Sequence, residues 1–200
     1  MRTRAARPKR IGVLAQQGAF AEHVAMLGRL GMEAVLVRLP QELHDLDGLI
    51  IPGGESTTIC RLMRDYELLE PLRKLGKQGL PIMGTCAGLI LVAKEVSEFK
   101  LETLSIMDIS VKRNAFGRQV DSFEADLEIP AIGGSSFHAV FIRAPCIEKV
   151  GNGVEVLARL PDGVCVAARQ GNVVALAFHP ELTEDLRLHD YFCSIINGKE

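Results

Sequence analysis

The stretch Leu80-Pro81-Ile82-Met83-Gly84-Thr85-Cys86-Ala87-Gly88-Leu89-Ile90-Leu91-Val92-Ala93-Lys94 decides the fold. An apolar run, Leu80 to Met83, passes through small residues into a helix-like run, Leu89 to Lys94. Small residues on both sides of Cys86 let the backbone take a sharp strand-to-helix turn that lifts the side chain out at the carboxyl edge of a sheet. The helix that follows aims the positive end of its dipole at the sulfur, which favours thiolate over thiol and stabilises an oxyanion formed beside it. Cys86 is therefore the candidate nucleophile. The alternative is a buried cysteine at a glycine-rich turn, and residues elsewhere in the chain decide between the two.

Two other strand ends supply those residues. Val173 to Phe178 reads as a strand that delivers His179 just past its last apolar residue, and Pro180 disfavours helical geometry at His179. In extended backbone, residues i and i+2 project to the same side, so the Glu181 carboxylate reaches the imidazole. A cysteine nucleophile needs such a histidine to take its proton and return it to a leaving amine, and a carboxylate to fix the tautomer. Leu49-Ile50-Ile51-Pro52-Gly53-Gly54-Glu55-Ser56-Thr57 is a third apolar strand that ends in a turn. Its glycines free backbone amides to approach a ligand and to supply an oxyanion donor beside the amide of Ala87. Ser56 or Thr57 is expected to cap a helix beginning near Thr58.

Strands and helices alternate through the first half of the chain. Ile11 to Ala15, Glu33 to Val37, Leu49 to Ile51 and Leu80 to Met83 read as strands, with helices at Phe20 to Leu30, Thr58 to Tyr66 and Leu68 to Gly76. This pattern predicts a parallel α/β sheet. From Ile106 the runs shorten to Ile106–Val111, Phe123–Leu127, Ala139–Ile142, Val154–Ala158 and Val164–Ala168. They predict an antiparallel addition before the last core strand, Val173 to Phe178, and a terminal helix near Asp185 to Ile196. One domain is expected over residues 11–196, with a basic tail at 1–10 and a short tail at 197–200.

The Gly53-Gly54 loop, Cys86, His179 and Glu181, in this order along the chain, resemble the class I, triad-type glutamine amidotransferases. The blocks Pro52-Gly53-Gly54-Glu55-Ser56-Thr57-Thr58, Gly84 to Leu89, Arg113-Asn114-Ala115-Phe116-Gly117-Arg118-Gln119, Val120-Asp121-Ser122-Phe123-Glu124, Phe141-Ile142-Arg143-Ala144-Pro145 and Phe178 to Thr183 narrow the likeness. Together they are similar to the glutaminase subunits of pyridoxal 5'-phosphate synthase, from about Ile11 to Ile196. The resemblance implies a flavodoxin-like three-layer α/β/α domain with a mostly parallel central sheet and an antiparallel addition. It implies hydrolysis of L-glutamine to glutamate, with the ammonia passed to a TIM-barrel synthase subunit that builds pyridoxal 5'-phosphate from a pentose phosphate and a triose phosphate. Cys86 is then the nucleophile, His179 the base and acid, and Glu181 the orienter. Gly54 and Ala87 become the oxyanion donors, and Gly54, Glu55, Ser56, Arg113, Ile142 and Arg143 the substrate-contacting residues. Gln17, in Gln17-Gly18-Ala19, matches a position beside the oxyanion strand and the partner interface. Gln16 departs from the apolar residue expected there.

Chemistry agrees with this assignment. Free glutamine carries an α-carboxylate, for which Arg113 or Arg143 is a receptor, and an α-ammonium, for which Glu55 is a candidate counter-charge. A stand-alone cysteine hydrolase and a non-catalytic docking subunit are the competing readings, and the intact Cys86, His179 and Glu181 set oppose the second.

Composition excludes other classes. At 200 residues, 48% hydrophobic and 5% aromatic, the chain supports one aliphatic α/β core. A net charge of -2 opposes a nucleic-acid binder. No apolar run approaches the roughly 20 residues that span a bilayer, and no leader is evident, so a cytoplasmic protein is expected. The five cysteines form no C-x-x-C pair, which fits a reducing compartment. Cys60, Cys146, Cys165 and Cys193 read as packing residues, His189 as helix surface, and neither a metal site nor a cofactor is expected.

Overall fold

Strands buried on both faces need apolar side chains at every position, and the runs that begin at Ile11, Leu49, Ile82 and Val173 become such strands. The computed structural model describes residues 7–97, 99–115 and 122–198. Phe116 to Gln119 and Val120-Asp121 of the motifs named above, and residues 1–6 of the tail, lie outside the described residues.

The parallel half comprises β1 (Arg10–Leu14), α1 (Phe20–Arg29), β2 (Glu33–Val37), β3 (Gly48–Ile51), α2 (Ser56–Asp65), α3 (Leu69–Lys77), β4 (Ile82–Thr85) and α4 (Ala87–Val92). After it come β5 (Ala93–Val96), β6 (Met107–Lys112), β7 (Ser122–Leu127), β8 (Phe137–Ile142), β9 (Cys146–Val150), β10 (Glu155–Arg159), β11 (Cys165–Gln170), β12 (Val173–Leu176) and α5 (Arg187–Ile196). The main sheet runs β2-β1-β3-β4-β12-β11-β9-β6-β5, with β10 on β11. Its first five strands are parallel, whereas β11 and β9 run antiparallel to their neighbours. The mixed α/β class with an antiparallel addition is therefore present. Arg10, placed in the tail by composition, opens β1 opposite Glu33.

β3, β4 and β12 are buried at every residue and form the centre of the core. Because they run the same way, the turns after them emerge together at the carboxyl edge, where open α/β sheets place ligands. β7 and β8 form a separate hairpin that closes over this edge. Phenylalanines seat it: Phe123 stacks on Phe141 at 4.4 Å, and Phe141 and Phe137 lie 5.4 and 5.8 Å from Phe178. Phe178 immediately precedes His179, and His179 N–H donates to Val140 O of the hairpin at 2.9 Å. Few aromatics are present, and this group of them positions the candidate base.

Candidate active site

Cys86 sits at a strained corner. Its φ of 49° lies in the left-handed region, which a non-glycine residue occupies at a cost of order 1–3 kcal/mol unless its surroundings hold it there. Two features hold it: its N–H donates to Leu176 O at 2.8 Å, and Ala87 begins α4 directly behind it. Ala87 N–H, in the first turn, has no intrahelical acceptor. The sulfur lies 3.8 Å from Ile142 O, beneath the hairpin.

His179 Nδ1 meets Glu181 Oε1 at 2.7 Å, with both residues buried. Burial alone would lower the imidazole pKa, but hydrogen bonds to Cys86 and Glu181 and the charges of both outweigh it and raise the pKa to about 10. The other four thiols are held neutral. Burial raises Cys60, Cys146 and Cys165, and pushes Cys193 up to about 12.

The glycine loop fits against both sides of this centre. A Cβ on Gly53 would stand 2.2 Å from the His179 ring, so only glycine lets the imidazole pack on that backbone. From the other side the β1–α1 loop grips two successive peptides of the glycine loop. Ala19 N–H donates to Gly53 O at 3.1 Å, and Glu55 N–H donates to Gln17 Oε1 at 2.7 Å. A Cβ on Gly18 would fall 1.8 Å from Gly53 O. In a trans peptide the C=O and N–H point oppositely, so the bond to Ala19 fixes which way Gly54 N–H faces.

A cavity of about 270 Å³ opens here, lined among others by Gln17, Gly54, Glu55, Ser56, Cys86, Ala87, Arg113, Ile142, Arg143 and His179. That is near the small end of ligand pockets, which run from roughly 300 Å³ upward, and suits a single amino acid. Every site residue expected from the sequence is brought together except Glu181, which stands behind His179. The Ser56 hydroxyl is buried and has no hydrogen-bond partner among the described residues.

Two expectations change. The N-cap of α2 is Glu55 rather than Ser56 or Thr57, and the helix starts at Ser56. The Glu55 carboxylate accepts from both the N–H and the hydroxyl of Thr57 and of Thr58, and pairs with Arg113 at 3.2 Å. A carboxylate does this better than a hydroxyl because it offers more lone pairs and complements the helix dipole. Burial would raise its pKa, but these bonds bring it down to about 2. So engaged, Glu55 anchors Arg113, which also lies over the Phe99 ring at 4.8 Å. Secondly, His189 is not helix surface: it is fully buried against His23, which the sequence reading passed over. The signal was present in spacing, since His189 shares a helical face with Phe192 and Cys193, and His23 with Met26 and Leu27.

A model of the SNO glutamine amidotransferase family matches residues 13–197. The chain is 57% identical over 188 residues to the pyridoxal 5'-phosphate synthase subunit PdxT of Herpetosiphon aurantiacus, covering 92% of this chain and 99% of that one. It is 59% identical over 183 residues to the same subunit of Pelotomaculum thermopropionicum, covering 92% and 93%. A solved glutamine amidotransferase matches with a TM-score of 0.88 and 52% identity over 94% of this chain and 98% of that one. PurLQS from Thermotoga maritima, at 19% identity and a TM-score of 0.72 over 98% and 100%, shares the fold.

Proposed function

The chain belongs to the SNO glutamine amidotransferase family and is a glutaminase subunit of pyridoxal 5'-phosphate synthase, and from that premise we propose that Cys86, His179 and Glu181 hydrolyse L-glutamine and that the ammonia passes to a TIM-barrel synthase subunit. The observation that carries this is the His179–Glu181 bond of 2.7 Å, together with an imidazole raised by its contact with Cys86 at a strained strand-to-helix corner.

The chemistry runs in two halves. The Cys86 thiolate attacks the side-chain amide carbon of glutamine, and the oxyanion is met by the N–H groups of Gly54 and Ala87. His179 gives its proton to the amide nitrogen as the C–N bond breaks, which releases ammonia and leaves a γ-glutamyl thioester. Water, deprotonated by His179, then attacks the thioester. Its collapse frees glutamate and regenerates the thiolate beside the imidazolium. Glu181 accepts from His179 Nδ1–H throughout and keeps Nε2 on the sulfur side. Arg113 and Arg143 supply cationic receptors for the α-carboxylate, and Ser56 and the Ile142 backbone complete the substrate contacts. Five unpaired thiols are in keeping with a reducing, cytoplasmic setting, and among the described residues no helix is long and apolar enough to cross a membrane.

Turnover is expected to depend on the synthase. The β1–α1 loop holds the Gly53–Gly54 peptide through Ala19 and the next peptide, at Glu55 N–H, through Gln17, so a partner that shifts this loop sets the oxyanion donor. One such donor is worth on the order of 100-fold or more in rate. Glutamate release should therefore rise by about that factor when the synthase binds, and fall in a Gln17→Ala complex that still forms. Full activity of the free chain would remove the activation claim, and an unchanged rate in the Gln17→Ala complex would remove the role given to Gln17.

A further inference from the structure

Behind the triad lies a second buried pair. His23, in the first turn of α1, and His189, near the start of α5, are both fully buried, with His23 Nδ1 2.9 Å from His189 Nε2. On its other side, His23 Nε2 lies 3.2 Å from Thr85 Oγ1 and 3.4 Å from Glu181 Oε2. The hydrogen bond of His23 Nε2 is the one to Thr85 Oγ1; Glu181 Oε2, though close to the same nitrogen, has no hydrogen-bond partner among the described residues, and neither has His189 Nδ1.

Hydrogen positions follow from which arrangement leaves least unsatisfied. Burial, followed by the nearness of His189 and of His179, holds the His23 pKa well below its ordinary value, and burial lowers His189 to about 4, so both rings are neutral. The Thr85 hydroxyl can donate or accept, but the Glu181 carboxylate beside it only accepts, so the proton belongs on the His23 nitrogen that faces both. His23 Nδ1 is then bare and accepts from His189 Nε2–H, which leaves His189 Nδ1 as a bare lone pair. The reverse tautomers would set a lone pair against Glu181 Oε2 and bury an N–H of His189 with no acceptor, and orphaned N–H groups are rarely tolerated.

We propose that His23 is a positioning residue of the triad, its Nε2–H fixed by His189 and held against both Thr85 Oγ1 and the nearby Glu181 Oε2, so that Oε1 stays on His179. The inference rests on the triad reading above and extends it by one layer. Donors then run in one direction, from His189 through His23 to the carboxylate. His23 also stands one helical turn after Gln17-Gly18-Ala19, so one segment, the β1–α1 loop and the start of α1, touches both the oxyanion peptide and the triad carboxylate.

The test compares two amide replacements in the complex with the synthase. Glutamine places its amide nitrogen near the position of Nε2 and can still donate to Glu181. Asparagine reaches only the Nδ1 position and cannot. His23→Gln should keep kcat for glutamate release within about fivefold of wild type. His23→Asn should lose about 10- to 100-fold, the scale found when hydrogen-bond partners behind a functional ligand are removed, with KM for glutamine within about twofold. Equal kcat in the two variants, or a loss carried mainly by KM, would overturn the assignment. Should either variant fail to fold, His189→Phe leaves His23 in place but frees its tautomer, and it decides the matter alone: a fall in kcat of about tenfold at unchanged KM supports the proposal, and wild-type kcat overturns it. Failure of the underlying triad reading would look different, since Cys86→Ala would then retain glutaminase activity.

Discussion

Cys86→Ala is expected to abolish glutamine hydrolysis while the complex still makes pyridoxal 5'-phosphate from an ammonium salt. The alanine removes the sulfur that forms the thioester, and no other thiol can replace it, because the remaining four are buried and held as neutral thiols. Cys86 also occupies its corner as a residue at positive φ, which alanine tolerates about equally, so the fold and the partner surface should survive. Loss of glutamine-dependent synthesis with retention of ammonium-dependent synthesis separates the chemistry of this chain from that of the partner. Residual glutamine-dependent product in the variant would sink the assignment.

The second large effect separates base from orienter. His179→Asn removes the proton carrier from both halves of the reaction, and a fall of roughly 10²- to 10⁴-fold in kcat is expected. Glu181→Gln retains the shape of the side chain and should lose less, by on the order of tenfold or more in the comparison. Its loss has a structural source. If the amide oxygen keeps its place on His179, the amide nitrogen turns towards His23 Nε2, donor against donor, at a position now 3.4 Å away. If Glu181→Gln proved as inactive as His179→Asn in a folded complex, the carboxylate would be more than an orienter.

The parallel core was legible in the chain because a strand buried on both faces must be apolar throughout, and β3, β4 and β12 have no other way to be read. The converging strand ends were legible for the same reason, since the Cys86, Gly53-Gly54 and His179 turns each follow such a run. Elements with weaker signals were not. β5 was absorbed into the helix before it, because Ala93, Lys94 and Glu95 are adequate helix formers; pairing of Ala93 with Met107 and of Glu95 with Ser110 overrides that propensity. β9 has no alternation to detect: Cys146 and Ile147 are buried and the next three residues are exposed. The cap of α2 was misplaced by one residue, because preference alone favours a hydroxyl where three-dimensional space allows Glu55 to meet two N–H groups, two hydroxyls and Arg113 together. His23 and His189 carry no motif, and only the meeting of α1 with α5 gives them a common task.

Covalent capture tests the glutaminase reading most directly. The complex with the synthase would be treated with a diazoketone analogue of glutamine, digested, and mapped by mass. A single modified peptide containing Cys86, protected by excess glutamine and lost in Cys86→Ala, is the expected result. Label on Cys60, Cys146, Cys165 or Cys193, or none on Cys86 while the complex turns over glutamine, would contradict it.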